Sequence, residues 1–291
     1  MRYLKSPGRD DPAQVSAPGG QPAGRVSIKP PGRDDTAPRV RRIKPAPRSG
    51  RMQSPTPVLD LLFPRRCPVC DKPVKPYGAL ICGECAKVPV PVGDSICMKC
   101  GKPVEPEEEY CADCRTRPHL YYRGMAVYRY RSVSGSLYRF KYDRRREYAD
   151  FYGEGMARAM DSFLRETGGQ HAPELLIPVP CSRQRLRKRG YNQAALLARS
   201  LSERTGIPAA EDLLVRSRDT RAMRSMSAAE RQINLKRTFH VYGNGVRLKS
   251  IMLIDDIYTT GATIDACAGA LLEAGAEEVS FLTLAIGENS F

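Results

Sequence analysis

Residues Ser250 to Gly275, S-I-M-L-I-D-D-I-Y-T-T-G-A-T-I-D-A-C-A-G-A-L-L-E-A-G, leave little freedom of structure. Ile251 to Ile254 are continuously apolar, and Ile257 follows the carboxylates, which predicts a strand buried on both faces as in a parallel sheet covered by helices. After the turn Thr259-Thr260-Gly261-Ala262, the stripe Ile264, Cys267, Ala268, Leu271 and Ala274 predicts a helix that stops at Gly275. A helix that starts directly after a strand offers free N–H groups and the positive end of its dipole, a site for phosphate. Gly261 lets the backbone come close, and Thr259, Thr260 and Thr263 add hydroxyl donors. Asp255 and Asp256 can accept hydrogen bonds from sugar hydroxyls or hold Mg²⁺ through water. A solvated strand end beside a capped helix is the bland alternative. The coincidence of buried strand, paired acids and phosphate-cradling turn argues against it.

The string I-M-L-I-D-D-I-Y-T-T-G-A-T resembles the 5-phosphoribosyl-1-pyrophosphate (PRPP) loop of type I phosphoribosyltransferases. Its tyrosine form, D-D-x-Y-T-T-G-A-T, is similar to one branch in particular, the ComF-type proteins of competence and DNA uptake. The resemblance implies that Asp255 and Asp256 are the catalytic acids on the ribose hydroxyls. It also implies that Tyr258, Thr259, Thr260, Gly261, Ala262 and Thr263 complete the PRPP site, with Mg²⁺ arriving on the ligand. Glu174 to Pro180 reads as a second buried strand, followed by C-S-R-Q-R-L-R-K-R-G-Y-N-Q-A. Arg183, Arg185, Arg187, Lys188 and Arg189 there precede a helix carrying Ala195, Leu196, Leu197 and Leu201, an arrangement suited to a diphosphate. That string is also similar to the ComF pattern, which implies pyrophosphate contacts from Arg183, Arg185, Arg187 and Arg189. Lys141, in R-F-K-Y, joins them through its likeness to the family's L-K-Y. L-L-V-R-S-R-D-T at 213–220 resembles the family's L-x-R-x-R-x-T. Three residues on, where the family commonly has Gln, this chain has Met223, and a thioether cannot replace an amide as a hydrogen-bond partner. Asp219 to Ser227 reads as a polar loop over the site, and Ser227 with Glu230 as a capping box.

The chain holds 10 cysteines, and eight of them form C-x-x-C pairs: Cys67 and Cys70, Cys82 and Cys85, Cys97 and Cys100, Cys111 and Cys114. Two such pairs make the Cys₄ set of a structural zinc, whereas redox motifs rarely come in fours at this spacing. Successive pairs could share a metal, or alternate pairs could interleave. C-x-x-C-D-K-P-V-K-P from Cys67 and C-x-x-C-G-K-P-V-E-P from Cys97 form an internal repeat, and a duplicated unit most simply carries its own metal. Two zincs follow, one on Cys67, Cys70, Cys82 and Cys85, the other on Cys97, Cys100, Cys111 and Cys114. Filled by sulfur, neither leaves a position for water, so both are structural. Cys181 and Cys267 read as buried hydrophobes.

The net charge is +15, and residues 1–51 carry 12 basic and 4 acidic side chains, so 8 of those charges lie in a Pro- and Gly-rich tail. Residues 1–55 read as disordered, with Met52 as an alternative start. V-L-D-L-L-F at 58–63 reads as a short apolar lead-in. A double zinc ribbon over 58–118 and a phosphoribosyltransferase-like α/β domain over 120–291, with a mostly parallel sheet, are expected. Absence of an apolar run of about 18 residues or of a secretory signal excludes a membrane span and favours the cytoplasm. His119, His171 and His240 stand outside every motif. Two readings remain: a PRPP-dependent transferase or sensor, and a non-catalytic DNA-uptake factor whose ribbons bind single-stranded DNA or a partner such as a competence helicase.

Overall fold

The computed structural model describes residues 64–76, 78–217, 238–242 and 249–287, all within one of the chain's two compact units, Arg39–Phe291. The basic tail, the lead-in at 58–63, Met223, the polar loop and the capping box lie outside the described residues. Along the chain come α1 (Ala112–Thr116), β1 (Gly124–Arg129), α2 (Tyr130–Tyr142), α3 (Tyr148–Glu166), β2 (Leu175–Pro178), α4 (Arg183–Arg189) and α5 (Gln193–Thr205). They are followed by β3 (Leu214–Arg216), β4 (Phe239–Val241), β5 (Ser250–Tyr258), α6 (Ala262–Glu273) and β6 (Glu278–Ile286).

The apolar runs do what their composition demands. β1, β6, β5 and β2 form, in that order, an all-parallel sheet whose central strands β5 and β6 are buried on both faces. Alternate residues serve opposite layers. Ile251, Leu253, Ile177, Val279 and Phe281 pack with Ile264, Cys267 and Leu271 of α6. Met252, Ile254, Leu176, Leu282 and Leu284 pack with Leu137, Phe140, Tyr152, Met156, Leu197 and Leu201 of α2, α3 and α5. The strand carrying the two acids is thereby locked in register, with Asp255 opposite Thr283 of β6.

The edges are covered, as an all-parallel sheet requires. Along β1, the Val92 N–H donates to Val127 O and the Arg129 N–H to Val90 O, so the segment after the first four cysteines pairs with the edge strand. Along β2, the Leu176 N–H donates to Pro208 O and the Ala210 N–H to Leu176 O.

The internal repeat is a repeat of hydrogen bonds. Cys67 N–H donates to Lys72 O and Asp71 N–H to Cys67 O; thirty positions on, Cys97 N–H donates to Lys102 O and Gly101 N–H to Cys97 O. Each metal loop needs a left-handed residue at the same place, Asp71 with φ 57° in the first and Gly101 with φ 75° in the second. A Cβ on Gly101 would lie 2.8 Å from Gly124 O, so the second loop is pressed onto the start of β1. The first loop uses the side chain that glycine lacks. Asp71 accepts from Arg145 at 2.8 Å and from Tyr148 Oη at 2.7 Å, and Arg139 reaches Pro68 O and Val69 O. Burial alone would raise the Asp71 carboxyl pKa, but the hydrogen bonds from Arg145 and Tyr148 outweigh it and the net shift is downward.

Asp71→Gly keeps the backbone conformation and removes only the carboxylate. We expect it to loosen the first ribbon by about 1.5–3 kcal/mol, the usual worth of hydrogen bonds to a charged group. Faster amide exchange over residues 65–75 with unchanged exchange in β5 is the predicted signature.

Candidate functional site

The carboxyl end of β5 supplies the centre. Asp255 accepts the Asp256 N–H at 2.7 Å, and Asp256 Oδ2 meets Lys141 Nζ at 2.9 Å, each of those two side chains being 15% exposed. Lys141 comes from the last turn of α2, so two elements far apart in sequence meet here. Burial, and then the neighbouring charge of Asp256, push the Asp255 pKa up to about 7, against the pull of the Asp256 amide, Lys141 and Arg185.

Beyond the acids, Gly261 has φ 80° and leads into α6, whose first turn has no side-chain cap. Its backbone donors are therefore not taken by a neighbouring serine or threonine, the condition for an anion site. Thr259, Thr260 and Ala262 are exposed and Thr263 is half-buried. Tyr258 differs from these: its ring is buried, stacked on Phe281 at 4.8 Å, and its hydroxyl pairs with that of Tyr121 at 2.8 Å. A Cβ on Gly261 would sit 2.6 Å from Tyr258 Oη, so the Tyr258 side chain lies beneath the turn and supports it.

The basic run departs from its expected form. Arg183 to Arg189 are not a loop ahead of a helix but a helix of their own, α4. Ser182 caps it by accepting the Arg185 N–H at 3.3 Å, and Gly190 ends it in the left-handed conformation at φ 81°. Nothing in the run breaks a helix, and those two residues bound it. Arg183, Arg185 and Arg187 are exposed. Arg185 acts electrostatically on Asp255, while Arg189 turns to Gln193 Oε1 at 2.7 Å and Tyr142 Oη at 3.1 Å. Asn192 then caps α5 and donates to Val179 O at 3.0 Å, fixing that helix to the end of β2.

Three groups escape sequence reasoning. Arg216, on β3, is pushed down in pKa by burial and by Arg185; the L-x-R-x-R-x-T likeness is its signal in the sequence. His119 and Asp265 pair at 2.7 Å across 146 residues, beyond the reach of any motif. Of the other two histidines, His171 pairs with Glu278 at 2.8 Å.

The two cysteine clusters are Cys67, Cys70, Cys82, Cys85 and Cys97, Cys100, Cys111, Cys114, the sulfurs of each within 4.8 Å of one another, and the interleaved pairing is excluded. A tetrahedron with Zn–S bonds of about 2.3 Å has edges of about 3.8 Å, and Cys100 Sγ lies 3.6 Å from Cys111 Sγ. The donor sets fit structural zinc.

Residues 58–115 match the family model described as "Double zinc ribbon domain". The chain is 30% identical over 183 residues to "Competence protein F" of Haemophilus influenzae, covering 61% of this chain and 78% of that protein. It is 33% identical over 182 residues to "Competence protein ComFC" of Bacillus subtilis, covering 60% and 71%. To "DNA utilization protein YhgH" of Escherichia coli it is 29% identical over 170 residues, covering 58% and 74%. Among solved structures, one titled "Analysis of an invariant aspartic acid in HPRTs-glutamic acid mutant" overlaps with 11% identity over 47% of this chain and 67% of that one, at a TM-score of 0.31. Adenine phosphoribosyltransferase from Leishmania tarentolae overlaps with 17% identity over 45% and 70%, at a TM-score of 0.27. At those scores the overlap has no weight for function.

Proposed function

The chain belongs to the ComF family of competence proteins, and from that premise we propose that its α/β domain binds PRPP with Mg²⁺ and transfers or senses the 5-phosphoribosyl group. The observation that supports this reading most is the joining of Asp255 and Asp256, steadied by Lys141, to the uncapped start of α6. A phosphate on the first turn of α6 puts a ribose diol within reach of the two acids, and the diphosphate then faces Lys141, Arg185 and the α4 side of the cleft. Mg²⁺, held through water by Asp255 and Asp256, would offset charge on the diphosphate. As the sugar carbon becomes cation-like, what the residues contribute is fixed placement of phosphates and diol, with no covalent nucleophile required.

The raised Asp255 pKa gives the test. Diol and metal both favour the ionised carboxylate, so Mg–PRPP affinity is expected to rise roughly tenfold between pH 6 and pH 8, one pH unit of linkage being about 1.4 kcal/mol. Binding near pH 6.5 should release a proton, read calorimetrically in buffers of different ionisation enthalpy. Affinity that is flat across this range, with no proton released, would remove Asp255 from the site.

A second surface favours single-stranded DNA, and it is not the ribbons: residues 64–118 hold 9 basic and 8 acidic side chains. Tyr138 and Tyr142 lie side by side at 5.0 Å, 60% and 42% exposed, with Lys188 and Arg189 at 5.4 and 5.0 Å from the Tyr142 ring. Exposed rings flanked by cations suit stacked bases and a phosphate backbone. Changing both tyrosines to Ala is expected to weaken oligonucleotide binding about tenfold or more, at 1–3 kcal/mol per stacked base, while leaving its salt dependence intact. Unchanged affinity would remove this surface as the contact.

A further inference from the structure

The segment between the last ribbon cysteine, Cys114, and the start of β1 at Gly124 passes directly beneath the phosphate turn. Two of its side chains reach the turn. Tyr121 holds Tyr258 Oη, and His119 Cε1 lies 3.0 Å from where a Gly261 Cβ would be. The His119 side chain is 3% exposed and stacks on Tyr121 at 4.8 Å. Its Nδ1 meets Asp265 Oδ2 at 2.7 Å, and Asp265 Oδ1 accepts the Leu120 N–H at 3.0 Å. Asp265 sits in the first turn of α6, and its own N–H donates to Gly261 O. The same segment is tied to the sheet by Tyr122 N–H to Val279 O and by Arg123 O from the Phe281 N–H, and its far end abuts the second metal loop through Gly124 N–H to Lys99 O.

We propose that His119 is a positioning residue for the phosphate site: its bond to Asp265 clamps the start of α6 and the Gly261 turn to the segment leaving the second ribbon. The ribbon thereby becomes part of the ligand site without touching ligand. A carboxylate in the first turn of α6 would otherwise sit near the donors that a phosphate needs, and its repulsion would weaken anion binding. In the clamp Nδ1 donates to Asp265 Oδ2 and the Leu120 N–H to Oδ1, so two donors hold the carboxylate against the segment. His119 Nε2 is buried and has no hydrogen-bond partner among the described residues, so the polar function of the ring rests on Nδ1 alone.

That asymmetry supplies the experiment. Asn places an amide where Nδ1 was, and Gln places one where Nε2 was. This inference rests on the PRPP reading, so two measurements are made on the zinc-loaded full chain: Mg–PRPP affinity, and amide exchange over residues 259–265 without ligand. His119→Asn is expected to stay within about threefold of wild type in both, whereas His119→Gln loses roughly tenfold or more in affinity and exchanges correspondingly faster, the size of one charge-assisted hydrogen bond. Should His119→Gln not fold, Asp265→Ser removes the same bond from the other partner; because it also removes the carboxylate's repulsion of a phosphate, it is read by amide exchange over residues 259–265 alone, where the same acceleration is expected and exchange equal to wild type overturns the clamp. Wild type that binds PRPP, with His119→Gln equal to it in both measurements, overturns the clamp and leaves the PRPP reading standing. Wild type that fails to bind, with His119→Gln still exchanging faster, overturns the PRPP reading and supports the clamp.

Discussion

Changing Asp255 and Asp256 together to Asn is expected to lower Mg–PRPP affinity by at least about a hundredfold, because two carboxylates that accept from a diol and hold a hydrated cation become amides, each loss being about 1.5–3 kcal/mol. The single variants should separate in stability. Asp255 is more readily protonated in the folded chain than in the unfolded one, its pKa pushed up to about 7 from an ordinary aspartate value of 3.8. Between those two pH values the native state binds more protons, so its stability falls as pH rises through the window. Asp255→Asn removes that cost: it should stabilise the fold at pH 8 by an amount on the order of 3 kcal/mol, seen as a higher thermal midpoint, and change little at pH 4. Asp256→Asn should lower the midpoint instead, since it leaves Lys141, whose side chain is 15% exposed, without its carboxylate. A site residue whose removal stabilises the protein while abolishing binding is the behaviour of a functional carboxylate; two variants that both destabilise and both still bind would mark the pair as structural.

Stripping zinc is expected to act in two steps of very different size. Cys97, Cys100 and Cys111 are buried in the same core as Ile251, Leu253 and Phe281. In the first cluster only Cys67 is buried, Cys70 is exposed and Cys82 and Cys85 are half-buried; this ribbon meets the α/β domain through the polar contacts of Asp71, Arg139, Arg145 and Tyr148 and through the partly buried Leu80 and Ile81. A chelator should therefore remove one equivalent from the first ribbon with little change in the sheet. Release of the second should coincide with global unfolding and lower the thermal midpoint by roughly 10 °C or more, since a structural zinc contributes up to about 10–16 kcal/mol. Metal release followed with a colorimetric indicator, alongside near-ultraviolet circular dichroism, checks this. Loss of both zincs with an intact sheet would contradict the packing described above.

Much of this was legible from local pattern. The strand, turn and helix from Ser250 to Gly275 were readable because each has its own period and its own stop, and the pairing of cysteines was readable because a repeat copies its contacts. What escaped depends on distance in sequence. Nothing near His119 announces Asp265, and the role of Tyr258 as a support was hidden because its partner, Tyr121, lies in the segment after the ribbons. The helix from Arg183 to Arg189 was hidden for another reason: its like charges argue against a helix, and the outcome turned on Ser182 and Gly190 bounding it.

The most direct test of the central claim is phosphorus NMR of PRPP with Mg²⁺ while zinc-loaded protein is added. Binding at the α6 turn predicts that the 5-phosphate and diphosphate resonances both shift or broaden saturably at one ligand per chain, and that Asp255→Asn/Asp256→Asn restores the free spectrum. A PRPP spectrum unchanged at stoichiometric protein would contradict the account.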